Sequence, residues 1–189
     1  MNLPNILTLS RIGFAFVLVY LLLLNSLTGN MWAAFFFIIA SLTDYYDGYL
    51  AKKNGLISDF GKIMDPISDK IMMLSIFFAL ASIGRVMWWM VILIAIREIV
   101  VTVDRLISMR NGQVLAAERA GKLKTVFQMV SVSLILIYLI LDQAAFAHDW
   151  FYQIEKVYLG WVNVFMLITV VLTVVSGWMY FQNKIRQSS

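Results

Sequence analysis

Six apolar stretches, running from Ile12 to Leu24, Met31 to Leu50, Ile63 to Ile83, Met87 to Val103, Val126 to Leu141 and Val157 to Tyr180, leave this chain little room for anything else. A helix needs about 20 apolar residues to cross a hydrocarbon core, so the stretches predict an all-α polytopic membrane protein with six transmembrane helices. Composition agrees: 61% of residues are apolar and 14% charged, against roughly 45–50% and about 25% in a soluble domain. A water-soluble globule is excluded. Arg11 ahead of a short apolar run resembles a signal peptide, but no small-residue cleavage motif follows Leu24 and five more spans do. The first stretch is therefore expected to be a retained helix. Without a linker, repeat or low-complexity tract, residues 1–189 are expected to form a single domain.

The 15 Lys and Arg residues set the expected orientation. Arg11 precedes the first span, Lys52, Lys53 and Lys62 fall between the second and third, and Arg105, Arg110, Arg119, Lys122 and Lys124 surround the fourth-to-fifth join. Lys184 and Arg186 follow the sixth, whereas the alternate joins are poor in cations. By the positive-inside rule both termini face the cytoplasm. The net charge of +4 then reflects topology and anionic lipid, and nucleic acid is not expected as a partner. With no cysteine, disulfides, zinc ribbons and thiol nucleophiles are excluded.

Acidic residues carry the chemistry. Asp44 and Asp47 end the second span, and Asp65 and Asp69 open the third. On helices the first pair, at i, i+3, shares a face, and so does the second, at i, i+4. Two antiparallel helices joined by a short basic loop would bring the pairs together, where unneutralised carboxylates repel and are costly in a membrane. Oxygen ligands suit magnesium, manganese or calcium, and a bridged pair of ions held by four Asp can clamp phosphoryl oxygens. Gly48 lets a ligand approach the backbone, and Pro66 is tolerable in the first turn of the third helix.

The pattern Asp44-x2-Asp47-Gly48-x2-Ala51-Lys52-x8-Gly61-x3-Asp65-x3-Asp69 resembles the signature of the CDP-alcohol phosphatidyltransferase family. Lys52 stands where that family usually has Arg; it keeps the charge without the bidentate fork. The resemblance implies a six-helix membrane enzyme, a homodimer, that uses CDP-diacylglycerol as donor. It assigns Asp44, Asp47, Asp65 and Asp69 to a site for two Mg2+ or Mn2+ ions, with Asp69 also the general base. Gly48, Ala51, Lys52 and Gly61 would line the donor site.

The segment from Asn2 to Arg11, the Arg97-Glu98 pair in span four and Gly121-Lys122-Leu-Lys124-Thr125 resemble the branch of that family that transfers to sn-glycerol 3-phosphate; beyond Met129 only hydrophobicity matches. A phosphorylated acceptor needs cations, and Arg97, Arg105, Lys122 and Lys124 are the candidates. Arg97 lies about two turns inside span four, where an unpaired Arg is expensive. Adjacent residues on a helix diverge, making Glu98 a poor partner for it. The expected setting is a bacterial inner membrane with the site facing the cytoplasm. Alternatives are a cardiolipin-forming enzyme with phosphatidylglycerol as acceptor, and transfer to an inositol phosphate. A divalent-cation transporter would instead place its Asp cluster near the midplane, whereas these Asp residues sit toward the cytoplasmic end.

Overall fold

The structure, a computed structural model, describes residues 3–54, 59–110, 119–144 and 149–188, with side chains described at 10–43, 64, 67–109, 121–144 and 155–186. Among these residues all regular structure is helical: α1 (Leu3–Leu23), α2 (Leu27–Asn54), α3 (Asp59–Ser82), α4 (Trp88–Arg110), α5 (Arg119–Ala144) and α6 (Asp149–Ser188). Each helix covers one predicted apolar stretch to within a residue and runs past it at one end or both. α6, at 40 residues, would be about 60 Å long, twice the hydrocarbon thickness. Polar residues at both ends prolong the helix although hydropathy registers only its middle.

Among the described residues, two stretches, Gly121–Ala144 and Glu155–Arg186, are long and apolar enough to cross a membrane, and Ser10–Leu23 and Leu27–Thr43 are shorter apolar helices. Only 39% and 33% of the two longer windows is buried within the protein. Side chains such as Phe16, Tyr20, Phe35, Ile38, Val171 and Trp178 face outward. Helices that are apolar on every side are stable where lipid is the solvent.

The chain divides into two compact units, Met1–Gly84 and Arg85–Ser189. In the first, α1 lies against both α2 and α3. Ala15, Leu18 and Leu22 of α1, Ala33, Phe37 and Ala40 of α2, and Met72, Ile76, Phe77 and Leu80 of α3 are buried at helical spacing. Ser26 caps α2, its Oγ accepting from Gly29 N at 3.1 Å. α3 ends where Gly84 adopts φ +74°, a conformation that glycine enters without steric cost, and its N–H donates to Ala81 O at 3.0 Å.

Two local expectations are corrected. Pro66 is not in the first turn of its helix, because α3 begins seven residues earlier at Asp59. The imide has no N–H, so the Lys62 carbonyl loses its helical donor. Arg11 does not precede α1. It lies within the helix, 6% exposed, where Nη1 donates to Ser68 Oγ of α3 at 3.4 Å. The apolar run begins only at Ile12, and the polar turns ahead of it are helical too.

In the second unit α6 packs against both α4 and α5. Near the α3–α4 turn, Arg85 donates to Tyr138 Oη at 3.1 Å and to Asp142 Oδ2 at 2.9 Å. Tyr138 Oη donates to Glu155 Oε1 at 2.9 Å, and the Tyr138 ring stacks on Tyr158. This network ties the start of α4 to the end of α5 and the start of α6. Arg85, the one cation of the α3–α4 join, is thus a structural clasp.

Candidate active site

In the first unit, α2 is helical through Asp44 and Asp47 to Asn54, and α3 from Asp59 through Asp65 and Asp69. Helical backbone at both pairs places each on one face. Asp47 precedes the end of α2 by seven residues and Asp65 follows the start of α3 by six, offsets of about 10 and 9 Å along the helix axes. Each pair therefore lies within about three turns of the helix end nearest residues 55–58. The side chains of Asp44, Asp47, Gly48, Ala51, Lys52, Gly61 and Asp65 lie outside the described residues. Asp69 is partly exposed, and its Oδ2 accepts from Lys70 Nζ at 3.0 Å. One residue before it, Ser68 receives the buried Arg11. Among the described side chains no three acidic or histidine groups converge, Asp69 being the one member of the four that is described. The donor set fits a hard divalent cation: carboxylates only, one helical turn apart, on two consecutive helices.

The second unit holds the candidate acceptor cations. Arg97 and Lys124 meet at Glu98, whose side chain is 2% exposed. Glu98 Oε1 accepts from Lys124 Nζ and from Gln128 Nε2 at 3.2 Å, with Arg97 Nη1 3.6 Å away. Lys124 and Gln128 are themselves buried. The nearer partner of Arg97 is on α6, where its Nη2 donates to Ser176 Oγ at 3.0 Å. Helical neighbours diverge here only in part: the primary partner of Glu98 is Lys124, but the long Arg97 side chain still comes within ion-pair range. Lys122 is exposed and Arg105 partly exposed. Beside Arg105, Asp104 accepts from Lys184 Nζ at 2.6 Å and Tyr180 Oη at 2.9 Å, joining α4 to α6.

These contacts form a buried polar seam. Lys124, Gln128 and Ser131 repeat along one face of α5, and Thr169, Thr173, Ser176 and Tyr180 along one face of α6. Ser131 and Thr169 hydrogen-bond at 2.9 Å. An Arg in an apolar helix is tolerable when polar groups of neighbouring helices receive it, as they do here. The α6 residues escaped sequence reasoning because each is an isolated hydroxyl-bearing residue, Thr, Ser or Tyr, in a long apolar run. Spacing by three and four was the available clue.

The profile described as CDP-alcohol phosphatidyltransferase matches residues 1–175. A Bacillus subtilis protein named CDP-diacylglycerol–glycerol-3-phosphate 3-phosphatidyltransferase is 34% identical over 97% of this chain and 95% of its own. A Rickettsia typhi protein of the same name is 32% identical over 96% of each chain. A Mycobacterium tuberculosis protein named probable phosphatidylglycerophosphate synthase is 41% identical over 72% of this chain and 66% of its own.

Proposed function

The chain belongs to the CDP-alcohol phosphatidyltransferase family, and from that premise we propose that it transfers the phosphatidyl group of CDP-diacylglycerol to sn-glycerol 3-phosphate. The products are phosphatidylglycerol phosphate and CMP. What carries this reading is similarity along nearly the whole chain to relatives named for this transfer. The matched profile runs through both compact units, which supports reading residues 1–189 as one membrane domain.

The family is generally metal-dependent. Asp44, Asp47, Asp65 and Asp69 are the residues that would hold Mg2+ or Mn2+, as two ions, with Gly48, Ala51, Lys52 and Gly61 lining the donor site. When bound, a divalent cation neutralises and orients the donor diphosphate. Asp69 is the general base: with Oδ2 accepting from Lys70 Nζ, Oδ1 takes the proton of the acceptor hydroxyl. The hydroxyl oxygen bonds to the phosphatidyl phosphorus as the bond to the CMP oxygen breaks. Arg97, Arg105, Lys122 and Lys124 hold the acceptor phosphate, Lys124 sharing its charge with Glu98. The direct test is purified protein with CDP-diacylglycerol, magnesium or manganese, and a panel of acceptors. Glycerol 3-phosphate is expected to give phosphatidylglycerol phosphate and CMP. Product from phosphatidylglycerol alone would replace this reading with cardiolipin formation.

In the membrane the six helices are six spans of a homodimeric protein of the bacterial inner membrane, with both termini and the active site on the cytoplasmic side. The placement of Lys and Arg supports that orientation. The chain has no cysteine, so single ones can be introduced cleanly. A membrane-impermeant thiol reagent on intact cells is expected to label His148→Cys and leave Asn54→Cys unlabelled. The opposite pattern would invert the topology.

A further inference from the structure

Arg97 is held by a short segment of α6 that lies just past the matched family profile, which ends at residue 175. Ser176, 1% exposed, accepts from Arg97 Nη2 at 3.0 Å. Ser176 Oγ in turn donates to the Thr173 carbonyl at 3.0 Å, so that proton is engaged and the oxygen faces the guanidinium as an acceptor. The next residue is Gly177. A Cβ built there would lie 3.0 Å from Arg97 Cγ and 3.3 Å from Arg97 Nε. The Arg97 stem thus lies directly on the α6 backbone, in space that any other residue would fill. Cγ sits near the root of the side chain, so a shift of a few tenths of an ångström there re-aims the guanidinium relative to Ser176. Elsewhere along this face, Thr169 meets the Ser131 hydroxyl and Tyr180 meets the Asp104 carboxylate.

We propose that Ser176 and Gly177 are the positioning pair that aims Arg97 at the phosphate of the acceptor: glycine makes the groove and serine fixes the guanidinium in it. The proposal rests on the reading of Arg97 as an acceptor-phosphate residue, and adds that its aim is set by α6. A planar, bidentate donor recognises a phosphate only from a defined direction, so a tilt of the guanidinium costs acceptor binding while leaving the donor's contacts intact.

Steady-state kinetics with each substrate varied in turn tests this. Arg97→Gln is expected to raise KM for glycerol 3-phosphate by roughly thirtyfold, and Ser176→Ala and Gly177→Ala each by about tenfold, in line with hydrogen bonds to charged groups. The KM for CDP-diacylglycerol should stay within about twofold for all three, within the range of independent sites. The decisive variants combine Arg97→Gln with Gly177→Ala or with Ser176→Ala. If the pair works through Arg97, the doubles fall no further than Arg97→Gln alone; residues acting separately would multiply their losses. Multiplied losses, or donor and acceptor KM rising together, would overturn the proposal. So would unchanged acceptor KM in both α6 variants beside a large effect of Arg97→Gln. Should Gly177→Ala fail to accumulate as folded protein, Ser176→Ala carries the same cycle. An unchanged acceptor KM in Arg97→Gln would remove Arg97 from the acceptor site, a separate failure from that of the α6 pair.

Discussion

Replacement of Asp44, Asp47, Asp65 or Asp69 by Asn is expected to lower turnover by about a hundredfold or more, beyond the roughly 10–100-fold lost when groups behind metal ligands are changed. Asn nearly preserves the size of Asp, so the folded protein should be recovered in normal amount. What disappears is a negative charge and one strong oxygen ligand. The four positions are not expected to respond alike to added metal. At a position that only binds the ion, higher magnesium should recover part of the rate, because weakened affinity is overcome by mass action. At Asp69 it should not, since the amide of Asn cannot accept the hydroxyl proton. Turnover measured against magnesium concentration for the four variants checks both statements. Near-normal turnover at limiting magnesium for any one variant would remove that residue from the site, and full rescue of Asp69→Asn by magnesium would remove it as the base.

The second large effect is on stability. Lys124→Met leaves the carboxylate of Glu98 buried, with the amide of Gln128 at 3.2 Å and Arg97 at 3.6 Å as its remaining described donors. Removing one partner of a buried ion pair commonly costs about 3–5 kcal/mol, which for a chain of this size corresponds to a drop of roughly 10 °C in the unfolding temperature. Thermal unfolding in detergent reads this directly. Neutralising both groups, with Glu98→Gln added to Lys124→Met, should restore part of the loss, because the carboxylate no longer lacks its nearest cation, while Arg97 in turn gives up the acid 3.6 Å away. If Lys124→Met unfolds at the parental temperature, Glu98 is satisfied without it, and the charge of Lys124 serves the acceptor phosphate alone.

How much of this could be read from the chain depends on the distance over which each feature is specified. Six helices follow from hydropathy, a property of 20 neighbouring residues, and the structure has a helix at every predicted stretch. The pairing of Asp44 with Asp47 and of Asp65 with Asp69 follows from helical periodicity, and the motif that contains them led to the family. Both are short-range facts that an amino-acid string contains explicitly. Helix ends were harder. Arg11 and the flanks of α6 are polar, and hydropathy stops where apolar residues stop, although backbone hydrogen bonding continues.

Partners across the fold were beyond reach of any local pattern. Ser176 is 79 residues from Arg97, and Ser68 is 57 from Arg11. Nothing in the composition of α6 distinguishes Ser176 and Gly177 from other small residues in an apolar helix, for which lipid contact and helix packing are the ordinary roles. Lys124 shows the same limit. Its charge, and its place beside a predicted span, made it a candidate for phosphate, but that it also meets a buried carboxylate depends on which helix faces it. That choice is made by packing: α6 lies against both α4 and α5, and Glu98 gathers Lys124, Gln128 and Arg97. Local pattern specified which residues are ionisable and which helix carries them; the assembled fold decided which charges are committed to one another, because burial makes an unmatched charge costly and only the three-dimensional neighbours can match it.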